Sequence, residues 1–324
     1  MSGAFQTQIM LSRPYLTREQ IKRAQQNTIS DRRVYNQKRI SVFKYLCDMC
    51  VQFKFPRRTL ETAMYFYQRF YLFNKFETEL CYDVATSCLF LSCKQVETMK
   101  KVADLATVSL RLRSIVKVSP ELLDNCKKRI FQMELRILET CCFDYRVNNS
   151  VHIDDLLVKI GKDLKLSHEV CYLAWLIAFD ALKLEILLMV PQHTIAIAVL
   201  KIACELTEGV SWPSVRYSLF ESNELSVGEA YFDIINFFIN VFDLSDLKAS
   251  VPNNLRNVGI ETFIELKKQA GHEKGLKEPD NISSDPYVAK DRDYTIQERR
   301  YVLYGKRISD ENRPIKQETK KEKI

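Results

Sequence analysis

The sequence predicts an all-α fold in which one helical unit occurs twice. The 324 residues include only 8 glycines and 9 prolines, which disfavours turn-rich β architectures. Apolar residues recur at helical spacing through most of the chain. The segments 84–93 and 195–204 also align in register, with Ala85 on Ala196 and Cys93 on Cys204. A period of about 110 residues is too long for a solenoid and indicates a duplicated helical domain.

Segment 84–94, VATSCLFLSCK, is predicted to be the central helix of the first copy. It mixes small and large apolar side chains without glycine or proline, so the helix is expected to be buried on every side. Glu77 and Glu79 are expected in its first turn, and Lys94 at its C-terminal end suits the helix dipole. That position explains Lys94 without any further role, and a functional role stays open beside it.

The rest of the first copy is predicted to be helical as well. Thr17 and Gln20 form a capping box in a lead-in segment, and Ser30 or Asp31 starts a helix that runs to about Phe53. The aromatic-rich segment 57–73 could be a platform for stacking bases, but helical spacing favours a core helix. Its aromatic side chains are therefore assigned to the core.

The helix that starts at Ser119 and Pro120 carries the second charged residue of interest, Glu134. One apolar stripe borders Glu134, and a second stripe at positions 131, 135, 138 and 142 predicts that the helix is contacted on two sides. A carboxylate beside a buried face is either paired across a contact or costly. Glu134 is therefore expected to have a partner.

The second copy repeats the plan, with helix starts predicted at Ser150, Ser167 and Pro191 and a capping box at Ser226. In this copy the position of Lys94 is occupied by Glu205, and that of Glu134 by Asp233. Whatever Lys94 does belongs to the first copy alone. The predicted divisions are 1–30 (lead-in), 31–147 (first copy), 148–245 (second copy) and 246–324 (tail). An apolar island at 294–304 docks on the body or on a partner.

Composition and motifs argue against several classes of protein. No glycine-rich phosphate loop, H-E-x-x-H or G-x-S-x-G motif occurs, so neither an active site nor a cofactor is predicted. Cys47 and Cys50 lack a second pair at zinc spacing, and the ten cysteines fit a reducing compartment. No signal peptide is evident, and charges interrupt the apolar run 172–190, so no membrane span is predicted. The net charge of +7 is dispersed rather than gathered into a nucleic-acid footprint.

The duplicated helical unit and its motifs together resemble the cyclins over residues 12–245. The resemblance implies a fold of two tandem five-helix cyclin boxes. The particular motifs resemble transcription cyclins of the T and K type. More narrowly, ISDRRVYNQKR, DYRVNNSVHID and QERRYVL resemble the fungal β (cyclin-like) subunits of the kinase for the C-terminal domain of RNA polymerase II. The motif positions are Arg13, Tyr15, Tyr65, Gln68, Arg69, Phe70, Leu89, Phe90, Lys94, Glu97, Met133, Glu134, Leu138, Cys142 and Phe143.

The resemblance implies a non-catalytic, nuclear subunit that binds and activates a cyclin-dependent kinase. It implies that Lys94 and Glu134 form the kinase-facing pair of the first box, with Glu97 and Leu138 beside them. The implied partners are the kinase catalytic subunit and a third, γ, subunit, and the implied substrate is the heptad-repeat C-terminal domain, phosphorylated in transcription elongation. The family often has Lys-Val-Glu-Glu where this chain has Lys-Gln-Val-Glu at 94–97. The resemblance therefore implies nothing about the geometry of this loop.

Three rival functions remain at this point. A duplicated cyclin-fold module that binds nucleic acid, as in general transcription factor IIB, predicts an upstream zinc ribbon and a basic second repeat. A helical enzyme predicts a pocket with convergent polar groups. An inert scaffold predicts that Lys94 and Glu134 can be replaced without loss of kinase activation.

Overall fold

The computed structural model describes residues 15–115, 117–143, 152–250 and 258–272, and these residues form helices and no strand. The prediction of an all-α fold is therefore confirmed. The α-helices are α1 (Arg18–Thr28), α2 (Arg32–Phe53), α3 (Arg57–Phe73), α4 (Cys81–Gln95), α5 (Val102–Leu112), α6 (Pro120–Thr140), α7 (Ile153–Asp163), α8 (His168–Ala181), α9 (Gln192–Leu206), α10 (Glu224–Val241), α11 (Asp246–Ser250) and α12 (Ile260–His272).

Helix α4 lies at the centre of the first copy, as predicted. It packs against α2, α3, α5 and α6, and from Cys81 to Cys93 every residue except Tyr82 is buried. The acid in its first turn is Asp83, because the helix begins at Cys81. The prediction that Glu77 and Glu79 occupy that turn is wrong. Buried Asp83 accepts hydrogen bonds from Arg113, directly after α5, at 2.5 Å and from Arg129 of α6 at 2.6 Å, and these hold both α5 and α6 against α4.

Helix α3 is confirmed as a core helix, with every residue from Thr59 to Leu72 buried. Its one buried cation, Arg69, donates from Nε to the carbonyl oxygen of Thr140 at 2.9 Å. That carbonyl belongs to the last turn of α6, where unpaired carbonyls favour a cation. Aromatic residues and one arginine thus fix the C-terminal end of α6.

The second copy has α9 at its centre, packed against α7, α8 and α10. The place of α5 is taken here by a single 3₁₀ turn, Tyr217–Phe220, between α9 and α10. Helix α7 begins at Ile153 after His152. Ser150 and the predicted boundary between residues 147 and 148 lie outside the described residues, so that boundary stays a prediction.

Most predicted helix starts are confirmed, but the start of α10, like that of α4, is wrong. Thr17 forms the capping box with Gln20, and Asp31 and Ser167 cap α2 and α8 through their side chains. Helix α10 starts three residues earlier than predicted, because Asn223 accepts the hydrogen bond from the backbone N–H of Ser226 at 2.8 Å. Ser226 therefore lies inside the first turn and not at its cap.

Helix α1 and the start of α2 join the two copies through ion pairs. Arg18 binds both carboxylate oxygens of Asp233 on α10, at 2.8 and 2.9 Å. Glu185 accepts from Gln25 and Arg39 at 2.7 Å and from Arg32 at 2.8 Å. Burial would raise the pKa of Glu185, but the charges of Arg39 and Arg32 outweigh it and hold the pKa below its usual value. The carboxylate thus stays ionised at the junction.

The chain continues past the second copy into α12, which packs on α10. The Phe263 ring stacks on Phe238, with 4.6 Å between ring centroids. The island at 294–304 lies outside the described residues, so its docking stays a prediction.

Of the described residues, Glu224–Leu244 alone is long and apolar enough to cross a membrane by length and composition, and 67% of its apolar window is buried inside the protein. The run 172–190 is divided between α8 and the 3₁₀ turn Glu185–Leu188.

Candidate functional site

Lys94 and Glu134 form an ion pair at the surface of the first copy. The distance from Lys94 Nζ to Glu134 Oε1 is 2.6 Å. Lys94 is in the last turn of α4 and Glu134 is in the second half of α6, and these helices pack side by side. The lysine side chain is 38% exposed and the glutamate side chain 11% exposed. The expected partner of Glu134 is therefore Lys94, and the pair remains open to solvent on the lysine side.

Two aromatic rings hold the pair in place. Lys94 Nζ lies 4.3 Å from the centroid of the Phe90 ring, one turn earlier on α4. Phe90 in turn meets Phe131 of α6 edge to face, with 5.7 Å between centroids. A cation over an aromatic face is stabilised by the ring quadrupole. The ammonium group is thus held from one side by a carboxylate and from the other by a ring.

The surface around the pair is apolar and exposed. Phe131 and Leu135 are 49% and 53% exposed, and Met99 after α4 is 61% exposed. The second stripe on α6 was predicted to be contacted on two sides. Within the described residues only Leu138 of the stripe is half-buried, while Phe131, Leu135 and Cys142 are exposed. That expectation is therefore wrong for the chain by itself. We call Lys94, Glu134, Phe131, Leu135 and Met99 the Lys94–Glu134 surface.

Glu97 lies at the edge of this surface, in an unusual backbone conformation. Its φ is +58°, in the left-handed region that usually takes glycine after a helix. The N–H of Thr98 donates to the carbonyl of Cys93 at 2.9 Å, which closes the end of α4 as in a Schellman motif. The exposed Glu97 carboxylate has no hydrogen bond or ion pair to any described residue. Glu97 thus lies three residues after Lys94, and half-buried Leu138 lies one helical turn after Glu134 on α6.

This arrangement is suited to binding rather than to chemistry. It offers one cation and one carboxylate, already neutralised by each other, on an apolar helical surface. Such a pair can fix the register of a docked helix through its remaining hydrogen-bonding capacity, while the apolar side chains supply affinity. The sequence assigned Phe131 and Leu135 to internal contacts. The signal in the sequence was the position of Phe131, three residues from Glu134 and four residues from Leu135, because side chains at these spacings are neighbours on a helix.

Comparison with known proteins gives the fold and the site a context. Residues 11–146 match the family described as "Cyclin, N-terminal domain". The CTD kinase subunit beta of Saccharomyces cerevisiae is 59% identical over 314 residues, which cover 96% of this chain and 97% of that protein. The CTD kinase subunit beta of Schizosaccharomyces pombe is 31% identical over 219 residues, 65% of this chain and 63% of that protein. Human cyclin-K is 29% identical over 53% of this chain and 31% of that protein.

A solved structure agrees with these sequence matches. A chain in the crystal structure of the yeast RNA Pol II CTD kinase CTDK-1 complex has a TM-score of 0.79 to this chain. The two are 61% identical, and the match covers 90% of this chain and 95% of that one. Sequence and structure therefore agree along nearly the whole chain, including both copies. The protein belongs to the cyclin family, and within it to the group of CTD kinase β subunits.

Proposed function

We propose that this chain is the regulatory cyclin subunit of a kinase that phosphorylates the heptad-repeat C-terminal domain of RNA polymerase II in transcription elongation. The observation that carries the proposal is 59% identity to a CTD kinase subunit beta over 96% of the chain. The subunit is non-catalytic and acts in the nucleus. Its partners are the kinase catalytic subunit and a third subunit of the complex.

The Lys94–Glu134 surface is the part of the chain that binds the kinase. Two observations support this assignment. The lysine side chain of the ion pair is 38% exposed, and the aromatic and aliphatic side chains around it are left about half exposed or more by the described residues. Exposed apolar patches with a polar element are typical of interaction sites. Besides this surface, with its pair Lys94 and Glu134, we assign Glu97 and Leu138 to the contact with the kinase.

The mechanism is a population shift in the kinase. An active protein kinase needs its Lys–Glu ion pair and its activation segment in place. A subunit that binds the active state of the kinase more tightly than the inactive state increases the population of the active state. The size of this increase is set by the difference between the two affinities. The rigid pair of α4 and α6, fixed by Asp83 with Arg113 and Arg129, presents a preformed surface. The kinase therefore bears most of the conformational change.

Reconstitution tests the proposal. The kinase subunit is assayed on a heptad-repeat peptide alone, with this chain, and with the variant Lys94→Ala/Glu134→Ala, each with and without the third subunit. We expect strong activation by the wild-type chain and loss of both binding and activation in the variant, because the pair fixes the register of the contact.

The matched control removes another exposed ion pair, Lys248 with Asp243, which lies at the C-terminal end of the second copy. Lys248→Ala/Asp243→Ala is expected to activate like the wild-type chain. Full activation by Lys94→Ala/Glu134→Ala would refute the site. No activation by the wild-type chain, even with the third subunit, would refute the function.

A further inference from the structure

A second candidate site lies away from the Lys94–Glu134 surface, in a pocket of about 350 Å³ between α1, α2 and α10. Its lining brings together residues from the lead-in helix, the first copy and the second copy. Pockets that bind small groups are usually concave sites of this size range, often at the junction of two domains. The size and the position of the pocket are therefore those of a candidate binding site.

The lining is rich in positive charge. Arg18, Lys22, Arg32 and Arg39 line it, against the two carboxylates of Glu185 and Asp233. A fifth cation of the lining, Lys183, is neutralised by Asp180 at 2.6 Å and Asp246 at 2.8 Å. Four cations against two acids leave an excess of two positive charges. Lys22 has only a loose pair with Glu19, 3.8 Å apart and half-exposed, and such pairs bind weakly.

The arginines also keep hydrogen-bonding capacity after pairing. Arg32 and Arg39 each use one terminal nitrogen for Glu185, whereas a guanidinium carries five N–H donors. The guanidinium of Arg39 lies over the Tyr35 ring, 5.5 Å from its centroid. Its buried Nε–H makes no hydrogen bond of good geometry among the described residues, and the Tyr35 hydroxyl is only a loose partner of the guanidinium. A buried donor without a partner calls for a water molecule or a ligand atom.

We propose that this pocket binds the phosphate of a phosphorylated serine or threonine in a heptad-repeat peptide. A phosphate carries close to two negative charges and three acceptor oxygens, and arginine forks match its geometry. Phe237 is the one aromatic side chain in the lining, so the pocket offers no platform for stacking a nucleotide base. The inference rests on the proposed function, because the kinase complex produces such phosphopeptides.

The consequence is retention of the product on the regulatory subunit. A repeat that the kinase has phosphorylated would dock in the pocket and keep neighbouring repeats near the active site. Binding of a second site on one chain is intramolecular and takes place at a high effective concentration. Long substrates would then be modified more efficiently than single repeats.

The test is fluorescence anisotropy of a labelled phosphoserine heptad peptide on the reconstituted complex without ATP. Lys22→Ala/Arg32→Ala removes two exposed cations of the pocket and is expected to weaken binding about tenfold, as for the loss of a charge-assisted hydrogen bond. Asp233→Asn removes an opposing charge and is expected to tighten binding. The control Lys162→Ala/Lys268→Ala removes two exposed lysines elsewhere and is expected to bind like wild type.

Two results would overturn the inference: unchanged affinity in Lys22→Ala/Arg32→Ala, or equal binding of the unphosphorylated peptide. Displacement by inorganic phosphate at the same concentration as by the phosphopeptide would show an anion site with no peptide specificity, which also contradicts it. Activation toward an unphosphorylated single repeat is measured in parallel. If that activation is present while the pocket variants bind normally, the inference fails and the proposed function stands.

Discussion

The helix pair α4 and α6 of the first copy and its counterpart, α9 and α10 of the second, differ in how their charged residues are bound. In the first copy, Lys94 and Glu134 pair across α4 and α6 at 2.6 Å and remain partly exposed. In the second, the equivalent residues are both acids, and each is bound inside the chain. Glu205 pairs with Lys201 at 2.7 Å and accepts from the Tyr231 hydroxyl at 2.6 Å, while Asp233 binds Arg18 of α1.

The apolar stripe shows the same difference. Phe131 and Leu135 of α6 are about half exposed, whereas their counterparts on α10, Ala230 and Ile234, are fully buried. One face of a repeated helix is thus covered by the chain itself in the second copy and left open in the first. The helix pair occurs twice, and the proposed kinase-binding surface differs from its counterpart both in the charge at Lys94 and in the exposure of the apolar stripe.

The largest effect is expected from Lys94→Glu, which gives the first copy the acid pair of the second. Two carboxylates would then face each other, since Lys94 is the cation that pairs with Glu134 among the described residues. We expect kinase binding to weaken by at least about thirtyfold, in line with roughly 2–5 kcal/mol for breaking a hydrogen-bonded charge pair at an interface. Titration of the kinase subunit with the variant measures it.

The reversed pair, Lys94→Glu/Glu134→Lys, serves as the control for that variant. It restores the attraction within the chain but reverses the charges that the kinase meets. Recovery of wild-type affinity would mean that the pair acts only within the chain, against our account.

Leu135→Ala and Ile234→Ala compare the same helix position in the two copies. Leu135→Ala should leave the free energy of unfolding almost unchanged, because the side chain is already 53% exposed, but should weaken kinase binding. Ile234→Ala creates a buried cavity and should lower the free energy of unfolding by about 2–5 kcal/mol. Urea denaturation and kinase binding are measured for both, and the reverse pattern would contradict the assignment of the surfaces.

The ion pair of Asp233 predicts a pH dependence in the second copy. Burial raises the pKa of Asp233 to about 6 and outweighs the opposing charge of Arg18. A carboxyl group whose pKa is higher in the folded than in the unfolded state contributes stability at low pH and loses it as the pH rises through the folded pKa. Asp233→Asn should therefore gain stability relative to wild type between pH 4 and 6, on the order of 2 kcal/mol.

Denaturation of both proteins across that pH range tests this prediction, with Glu224→Gln at an exposed position of the same helix as control. A constant difference between Asp233→Asn and wild type would contradict it.

The smallest effect is expected at Glu97, where φ is +58°. Glu97→Gly should raise the free energy of unfolding by about 1 kcal/mol, since glycine adopts this conformation without the steric cost of a side chain. Glu97→Ala keeps that cost and should be close to neutral for stability. If the carboxylate contacts the kinase, both variants should weaken binding equally; a loss in Glu97→Gly alone would instead point to the backbone of the turn.

The fold was predictable because local patterns encode it, whereas the charged pair followed from the resemblance to the cyclins. A helix whose residues 84–93 carry no charge or amide but many apolar side chains has to be mostly buried. A carboxylate beside a buried face needs a partner, and the resemblance identified that partner as Lys94. The start of α10 was mispredicted because Asn223 and Ser226 both match capping patterns, and only the packing of the second copy selects between them. Periodicity also cannot distinguish a stripe that the chain covers from one left open, so the exposure of Phe131 and Leu135 was missed.

Long-range ion pairs were not predictable either. Arg18 and Asp233 are 215 residues apart in the chain, and Glu185 binds Gln25 of the lead-in helix α1 together with Arg32 and Arg39 of α2. Neither contact follows from local spacing. They depend on how the two copies face each other, which is set by the summed packing of many side chains.

The most direct test of the account is a double-mutant cycle on Lys94→Ala and Glu134→Ala, measured twice. The first measurement is the affinity of the full chain for the kinase subunit, and the second is the free energy of unfolding of the chain alone. We predict that each single variant weakens kinase binding at least tenfold and changes the stability of the free chain by less than about 1 kcal/mol, because the pair is open to solvent on its lysine side. Equal affinity in all four proteins, or losses of stability that match the losses of affinity, would show that the pair only holds α4 to α6.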